Sequence, residues 1–563
     1  MRSRSIGIIV VVFLEILIAE QAFVDKSRVI IPGNGKLEIP ANSGKKFTLQ
    51  PNEQLNLKFL RTERNWFFVI FQVHSQYRRT LASTDTLFTH DTTDTGFDPS
   101  VLYKLPYMHG EKPIPLYVKS NSSEDYQIDV ISIPYSNGAP FPGGCCQTCN
   151  MELDPNLKVT YDSVKTTITF YFANVFFGRN QKEIPCDGYP HHPGKNPEHY
   201  RLEYHLYQMF LDEGNLEEDE LFKSLQMMAY PDIIKTSGNK VFTVQAPTIP
   251  KVLFDTLPGQ GIIYNIIVYD PVTKKEAAYS PVHTYGCSFT STIRNCYSIV
   301  STINKVFAVV GAVIALGLCF MGHRLFKLAL FLGGLMNFGF IFYIILSEST
   351  SLSHTALMLT SLVIGIVCGL LMYALWSLTE YIRLCLLING LFLGFLAAGT
   401  FLFTPVGDSE VWQSDFDYGM VVIAMTIVTP FVMLPWPKVL SIVYTSVVSA
   451  YGFIIGIDTF IHTSMSYVVL NIVIRAIEPN YDQVIVRRPF QYKDIILTVT
   501  WVFLTVVGIS AQFYLARKRP DFPKSDYLEH KRIEKYYSTK KYDERTPILI
   551  NEHGDGYRHN DIC

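Results

Sequence analysis

The chain carries little charge, and neither sign is in excess. Only 17% of its 563 residues are Asp, Glu, Lys or Arg, and 48 basic residues against 50 acidic ones give a formal net charge of −2. A nucleic-acid-binding protein usually shows a basic excess or a basic stripe, so we expect no nucleic-acid partner. The sequence also lacks His-Glu-x-x-His, Gly-x-Ser-x-Gly and a phosphate-binding loop with Lys. We therefore expect no enzyme, no catalytic residues and no cofactor.

Long apolar runs, by contrast, fill the second half of the chain. A bilayer core ~30 Å thick needs a helix of ~20 mostly apolar residues. Seven runs meet this requirement and predict a seven-helix transmembrane bundle in membrane lipid, within residues 299–516. The predicted spans are 302–321, 328–347, 356–378, 384–403, 418–436, 439–460 and 495–516.

The N-terminus and the charge distribution together predict an orientation. Arg2 and Arg4 precede an apolar run over residues 6–18, which indicates a signal peptide over residues 1–22; an uncleaved anchor is the alternative. Basic residues cluster on one side of the predicted bundle, whereas the turns 348–355 and 404–417 contain none. Because basic residues near helix ends stay cytoplasmic, we expect the N-terminus outside or in a lumen and the tail inside.

Residues 461–494 break this charge pattern. They fall on the predicted outer side but contain Arg475, Arg487, Arg488 and Lys493. Within them, the apolar run 467–477 is too short to cross a bilayer. We interpret it as an interfacial or re-entrant helix; an eighth span is the alternative.

The residues between the signal peptide and the first span predict a mainly β ectodomain. Strand-like runs occur at 66–73, 166–172, 201–207 and 261–269. A break near Pro142 divides the ectodomain into two β-sandwich-like modules, 23–142 and 143–298. One helix is predicted in the second module, with Asn215 and Glu218 as its N-cap pair and Pro231 ending it.

Six cysteines lie in the ectodomain, an even number in an oxidising compartment, which predicts up to three disulfides. Cys287 and Cys296 are expected to pair above the first span. One of Cys145, Cys146 and Cys149 is expected to pair with Cys186, although fifteen connectivities remain open. A zinc site formed by the 145–149 cluster with His191 and His192 is the alternative. The sequon Asn121-Ser122-Ser123 predicts a glycan on Asn121.

Three polar residues lie inside the predicted bundle: Asn337, Asn389 and Asp458. A carboxylate in lipid is costly, so an intramembrane acid is a functional candidate. Asp458 falls near a helix end, where it could instead be a cap. If the three line one cavity, they indicate a channel or transporter. Glycine pairs four residues apart at 365/369, 390/394 and 452/456 predict close helix packing.

The tail, residues 517–563, is rich in charge and too polar to build a core, so we expect it to be disordered. Glu544 stands four residues before Ile548-Leu549. This spacing resembles an acidic dileucine sorting signal, because the acid suits a basic adaptor patch and the aliphatic pair suits an apolar slot. We therefore expect a clathrin-adaptor contact through the tail and cycling through endolysosomes from the plasma membrane.

Several stretches, in order along nearly the whole chain, resemble the transmembrane 7 superfamily member 3 family. They are Phe71-Gln72-Val73-His74-Ser75-Gln76-Tyr77, Pro142-Gly143-Gly144-Cys145, residues 257–265, His283-Thr284-Tyr285-Gly286-Cys287-Ser288-Phe289, Gly322-His323-Arg324 and Glu544-Arg545-Thr546-Pro547. The chain departs from the family in its extra Cys146 and Cys149, and in Ile548-Leu549 where the family has Leu-Leu.

This resemblance implies a seven-helix protein with the N-terminus outside, whose membrane part is similar to the transmembrane protein 198 group. It also implies a role in cell survival, in damping the unfolded protein response and in inhibiting apoptosis. We expect a non-enzymatic receptor-like or scaffold protein that binds an extracellular or luminal protein or lipid ligand. The channel or transporter using Asn337, Asn389 and Asp458 remains the alternative.

Overall fold

The computed structural model describes most of the chain outside its two ends. The described residues are 38–39, 42–59, 63–105, 113–146, 149, 151, 153–175, 177, 201–245, 251–288, 296, 302–407, 409, 412, 414–517 and 521–543. The predicted signal peptide lies outside them. Within these residues, β-strands fill the first half of the chain and helices fill the second, as the sequence predicts.

The first module is a two-sheet sandwich. Its strands are β1 (Glu38–Ile39), β2 (Gly44–Leu49), β3 (Gln54–Phe59), β4 (Trp66–His74), β5 (Thr80–Ser83), β6 (Thr93–Gly96), β7 (Ser100–Lys104), β8 (Ile114–Ser120) and β9 (Tyr126–Ser136). One sheet has the order β1-β3-β8-β5-β6 and the other β2-β9-β4-β7. All neighbours are antiparallel except β1 and β3, which are parallel.

The second module also has two sheets. Its strands are β10 (Lys158–Tyr161), β11 (Lys165–Thr169), β12 (Glu203–Phe210), β13 (Asn239–Gln245), β14 (Lys251–Asp255), β15 (Ile262–Asp270), β16 (Lys275–Ala278) and β17 (Val282–Thr284). One sheet contains β10-β11-β14 and the other β13-β12-β15-β16, with β17 also on β15. Helices α1 (Glu218–Met227) and α2 (Pro231–Ser237) cover the second sheet.

The two modules share a hydrophobic core. On β4, Val69 and Phe71 point into the first module's own core, whereas Phe68 and Ile70 join a cluster that contains Tyr204 and Tyr264 of the second module. Because side chains alternate between the faces of a strand, β4 must be apolar on both faces to pack this way. This explains the uninterrupted apolar run 66–71, and it joins the modules through a packed face.

The predicted helix of the second module is present, but its ends differ from the prediction. α1 begins at Glu218 after Glu217, and Asn215 Oδ1 accepts from the Glu217 N–H instead of capping the helix. Pro231 does not end a helix; it stands at the first turn of α2. Proline suits that position because its fixed φ is helical and the N–H that it lacks would have no partner there.

The described residues of the helical half contain seven long apolar helices. They are α3 (Thr302–Met321), α4 (Phe326–Ser349), α5 (His354–Thr379), α6 (Ile382–Phe403), α7 (Asp415–Met433), α8 (Pro437–Ile461) and α10 (Tyr492–Ala516), and a short helix, α9 (Tyr467–Ile477), precedes α10. Among the described residues, six are long and apolar enough to cross a membrane, namely α4 to α8 and α10. In α3, the portion Lys305–Met321 is apolar but shorter than these six helices.

Small residues set the closest helix contacts in the bundle. A Cβ added at Gly369 of α5 would lie 2.6 Å from the Phe331 carbonyl of α4, and one at Gly394 of α6 would lie 2.5 Å from the Thr426 carbonyl of α7. A Cβ added at Gly456 of α8 would likewise lie 2.6 Å from the Ala312 Cβ of α3. The three predicted glycine pairs therefore pack helices of this same chain against each other.

The tail is more structured than its composition predicts. Helix α11 (Asp526–Asp543) follows the bundle, and Ser525 just before it is fully buried. Ser525 donates to the Ser377 carbonyl at 2.5 Å, and its N–H donates to Glu380 at 2.8 Å. These contacts with the end of α5 fix the start of α11, although the helix itself is too polar to form a core.

Candidate functional site at the junction of the ectodomain and the bundle

The three polar residues predicted inside the bundle do not meet at one place. Asn337 donates to the Gly333 carbonyl at 2.8 Å, one turn back on α4. Asn389 of α6 also faces Gly333, since a Cβ added there would lie 2.5 Å from Asn389 Oδ1. Asp458 lies apart from them, near the end of α8.

Asp458 holds the turn that follows α8. It accepts from the Thr463 N–H and hydroxyl, both at 2.7 Å, and from the Ser466 N–H at 3.0 Å. With 4% of its surface exposed, it is a buried cap of this turn. This arrangement corresponds to the cap interpretation of Asp458.

Residues 461–494, which break the predicted charge pattern, contain the short helix that the sequence predicts there. α9 has 11 residues, which at ~1.5 Å per residue cannot cross a ~30 Å hydrocarbon core. Its Val468 packs on Leu396 and Tyr451, and the Tyr451 hydroxyl donates to the Met465 carbonyl at 2.9 Å. The alternative of an eighth span is therefore wrong, and α9 lies against the bundle.

After α9, the chain joins the ectodomain by strand pairing. β18 (Val484–Ile485) pairs in parallel with β14, with Leu253 opposite Val484 and Phe254 opposite Ile485. A segment between two bundle helices thus becomes the edge strand of the second module's sheet. We call residues 478–493 the bridging segment.

A buried ion pair follows this strand. Arg488 Nη2 lies 2.9 Å from Asp255 Oδ2, and the two side chains are only 6% and 2% exposed. The same guanidinium donates to Asn471 Oδ1 at 2.6 Å and stacks 3.7 Å from the ring centre of Tyr467. A buried charge is tolerated only with such partners, so Arg488 and Asp255 each require the other.

Other basic residues within 461–494 have partners as well. Arg487 donates to the carbonyls of Lys240 and Val241, and Arg475 pairs with Asp415 at 2.7 Å. An ectodomain cation also pairs with a carboxylate of the bridging segment, since Lys165 Nζ lies 2.8 Å from Glu478 Oε1. The basic residues of 461–494 thus have carboxylates and carbonyls as partners, which explains the break in the charge pattern.

The bridging segment also binds the loop after β12. Gln491 accepts from the Glu213 N–H at 2.7 Å and donates to the Leu211 carbonyl at 2.8 Å. Lys493 donates to the Glu213 carbonyl at 3.2 Å. The main chain of Glu213 is therefore fixed from both sides, and its side chain is 6% exposed.

A second buried polar cluster connects the two modules. Asp98 of the first module accepts from His74 Nδ1 at 2.8 Å and from His283 Nδ1 of the second at 2.9 Å. His283 Nε2 faces the Gln76 carbonyl at 3.2 Å. Since a carboxylate and a carbonyl can only accept, both nitrogens of His283 must carry protons, so this imidazole is charged.

The electrostatics of this cluster agree with that charge. Burial alone would raise the pKa of Asp98, but the charge and hydrogen bond of His283, followed by those of His74, lower it to about 2. Burial alone would lower the pKa of His283, but the Asp98 charge and the hydrogen bonds to Asp98 and Gln76 raise it. We call His74, Asp98 and His283 the inter-module clasp.

The predicted disulfide between Cys287 and Cys296 is present, and the predicted pairing with Cys186 involves a residue that the structure does not describe. The structure joins Cys287 to Cys296 and Cys146 to Cys149. Cys145 is disulfide-bonded too, and Cys186 lies outside the described residues. Because these sulfurs are in disulfides, Cys145, Cys146 and Cys149 are not zinc ligands here. His191 and His192 lie outside the described residues, and in the described part of the chain no His, Cys, Asp or Glu cluster could hold a metal ion.

The remaining predicted site residues are at the surface or beyond the described chain. Asn121 is exposed in the turn between β8 and β9, a position that a glycan could reach. Glu544, Ile548 and Leu549 lie outside the described residues. Their roles stay predictions.

Sequence reasoning missed the ectodomain half of the junction. Arg488 attracts attention as a basic residue on the predicted outer side, but its partner Asp255 is 233 positions earlier and carries no local signal. His74 and His283 each fall within a stretch that resembles the family. That signal could have drawn attention to the inter-module clasp.

Family models match three parts of the chain. A TM7SF3-like, N-terminal immunoglobulin-like domain matches residues 35–135, and a TM7SF3-like, second immunoglobulin-like domain matches residues 140–290. A TM7S3/TM198-like domain matches residues 308–513. These matches confirm the predicted fold class, a mainly β ectodomain followed by a membrane-spanning helical region.

Relatives match nearly the full length. Transmembrane 7 superfamily member 3 from Rattus norvegicus is 36% identical over 464 residues, which are 82% of this chain and 81% of the relative. The proteins of that name from Mus musculus and Homo sapiens are each 34% identical, covering 88% and 82% of this chain and 86% and 80% of their own. A solved structure of Bacteroides uniformis beta-glucuronidase 2 is 10% identical with a TM-score of 0.18, over 43% of this chain and 26% of that one. That score is too low to support an argument about fold.

Proposed function

This chain belongs to the transmembrane 7 superfamily member 3 family, and from that premise we propose a non-enzymatic, receptor-like or scaffold membrane protein that supports cell survival and damps protein-folding stress. Its relatives are named as transmembrane 7 superfamily members and not as enzymes. In this proposal the ectodomain recognises an extracellular or luminal protein or lipid, and the bundle responds to that binding.

The observation that carries the proposal is the ion pair between Arg488 and Asp255 beside the β14–β18 pairing. A ligand-binding domain on a flexible linker could move without affecting the membrane helices. Here α9 and α10 are continuous with the bridging segment, which is itself part of the ectodomain sheet. A force on the second module therefore reaches two bundle helices directly.

The proposed location is the plasma membrane, with the ectodomain outside or in a lumen and cycling through endolysosomes. The basic residues at the tail end of the bundle and the Glu544, Ile548 and Leu549 pattern support it. The tail would contact a clathrin adaptor. Transport is less well supported, because Asp458 caps a turn while Asn337 and Asn389 lie together beside Gly333.

The proposal is tested by proximity labelling from the ectodomain in cells under folding stress. The full-length protein is compared with a variant lacking residues 23–290 and with Arg488→Met, and Lys327→Met serves as a matched control at the other end of the bundle. We expect deletion to abolish the partner set, and Arg488→Met to keep the partners but lose the damping of the stress response. If the deletion variant labels the same partners, or if Arg488→Met damps stress as well as Lys327→Met does, the proposal is wrong.

A further inference from the structure

Glu213 presents an unusual buried carboxyl at the junction. Its backbone is fixed by Gln491 and Lys493 of the bridging segment, and its side chain is 6% exposed. Among the described residues, neither carboxyl oxygen of Glu213 receives a hydrogen bond from any donor. An ionised carboxylate left in this state would lose its hydration without replacement, at a high cost in free energy.

The groups facing this carboxyl make ionisation still less favourable. The carboxyl of Asp494 lies within hydrogen-bonding reach of it, and the two residues both bind Gln491, Glu213 through its N–H and Asp494 through its carboxylate. Asp494 is fully buried and already accepts from the Ser464 N–H and hydroxyl and from the Gln491 N–H. Asp458 of α8 adds a further negative charge, and Lys493 of α10 supplies the opposing positive one.

Two carboxyl groups in contact form a hydrogen bond only when one of them carries a proton, since two carboxylates are both acceptors. Asp494 accepts three hydrogen bonds, whereas Glu213 accepts none from the described residues. The proton therefore resides on Glu213, with Asp494 accepting from it. In agreement with this placement, burial is the largest cause that raises the pKa of Glu213 to about 9. The hydrogen bond and charge of Asp494 raise it further, whereas the positive charge of Lys493 opposes the shift.

We propose that Glu213 and Asp494 form a proton-binding site, and that the proton which they share holds the ectodomain on the bundle. Loss of this proton places a further negative charge beside Asp494 and Asp458 inside the junction, with Lys493 as the opposing cation. Relief comes from moving the β12 loop away from the bridging segment. The site thus makes the attachment of the ectodomain sensitive to pH. The inference rests on the junction geometry and is independent of the proposed function.

The sign of the effect follows from linkage. Burial and the Asp494 carboxyl raise the pKa of Glu213 in the closed junction from its ordinary value of 4.5 to about 9, and opening the junction would return it toward the ordinary value. Below the ordinary pKa of Glu213, protonation gives the closed junction its full advantage over the open one. As the pH rises toward the raised pKa, the equilibrium constant for closing falls by up to about tenfold per pH unit. The junction is therefore tighter in an acidic compartment than at neutral pH.

Infrared spectroscopy of the full-length protein in lipid discs tests for the proton directly. We expect carbonyl absorbance from protonated carboxylic acids at pH 7, and we expect Glu213→Gln to weaken it by the contribution of one acid; Glu218, whose pKa is raised to about 7, contributes to the rest. Glu217→Gln is the matched control, because Glu217 is exposed in the same loop. If the absorbance at pH 7 is equal in wild type and Glu213→Gln, the site does not bind the proposed proton.

Hydrogen exchange tests the consequence for the junction. After correction for the intrinsic pH dependence of exchange, the amides of Val484 and Ile485 should lose protection by up to about tenfold per unit between pH 6 and pH 8. In Glu213→Gln, the neutral amide stands in for the protonated acid and protection should stay constant, while Glu217→Gln should follow the wild type. Glu213→Ala, which also removes the titrating group, serves as a second variant in case the first is unstable. Equal pH dependence in wild type and Glu213 variants would overturn the proposal.

Discussion

The two ends of the bundle are held by ion pairs of different kinds. At the ectodomain end, Arg488 and Asp255 are 6% and 2% exposed and meet beside a strand pairing. At the tail end, Lys327 pairs with Asp526 and Lys438 with Asp521, but those side chains are between 28% and 80% exposed. A buried pair is expensive to break, and an exposed pair contributes little. We infer that ion pairs hold the ectodomain end of the bundle more firmly than the tail end, where the buried Ser525 makes the main contact.

Removing one partner of the buried pair should have the largest effect. Arg488→Met leaves the Asp255 carboxylate buried without its counter-charge, and we expect a loss of about 3–5 kcal/mol in stability. Chemical denaturation of the purified full-length protein measures it.

The double variant Arg488→Met with Asp255→Asn provides the control. Because no buried charge remains, it should lose less than the sum of the two single variants. Additive losses would mean that the two side chains do not depend on each other.

The disulfide between Cys287 and Cys296 should come next. It closes a short loop, because its two cysteines are nine positions apart along the chain. Replacing both by Ser should destabilise the second module by a little under ~3 kcal/mol, since the cross-link no longer restricts the unfolded chain. Thermal unfolding with and without reductant measures it. A variant whose melting temperature equals that of the oxidised wild type would contradict the expectation.

The inter-module clasp should show a smaller effect that depends on pH. His283→Leu removes charged hydrogen bonds to Asp98 and should cost about 2 kcal/mol near pH 6. The raised pKa of His283 stabilises the folded state below its ordinary pKa of 6.5, and this stabilisation is lost as the pH rises through the raised value. The lowered pKa of Asp98 stabilises above 3.8 and is lost as the pH falls toward about 2.

The clasp should therefore contribute most between about pH 4 and pH 6.5. Denaturation midpoints of wild type and His283→Leu, measured across pH, should differ most in that range. His90→Leu, at an exposed histidine, is the control. A difference that does not change with pH would show that His283 is not charged in the folded protein.

The exposed tail contacts should give the smallest change. Lys327→Ala should alter global stability by less than about 1 kcal/mol, because Asp526 is 80% exposed and hydrated without its partner. Its effect should be local and should diminish with added salt. Hydrogen exchange of Ser525 and the first turn of α11 measures it, and a loss as large as that of Arg488→Met would remove the contrast between the two ends.

Local sequence patterns predict the elements of this fold but not the way they dock. Apolar runs of about twenty residues specify the spans, because the hydrocarbon thickness sets the helix length. The run at 66–71 identifies β4, but periodicity alone does not reveal that Phe68 packs on the second module. β18 has two residues and no pattern of its own, so its pairing with β14 depends on tertiary contacts.

The site residues show the same limit. Arg488 is conspicuous because a basic residue is unexpected on the predicted outer side, whereas Asp255 and Glu213 resemble ordinary surface acids in the sequence. Their importance comes from burial next to residues more than two hundred positions away. The helical tail differs from its prediction for a related reason. Ser525 and Glu380 bind each other at the end of α5, and composition does not record such a contact.

The central claim is that the ectodomain and the bundle form one coupled unit through the bridging segment. Single-particle electron cryomicroscopy of the full-length protein in lipid discs at pH 6 tests it directly. We predict a single orientation of the ectodomain, with density for β18 on β14 and for the Arg488–Asp255 pair. An ectodomain that swivels through many orientations, with the bridging segment separate from its sheet, would contradict the account.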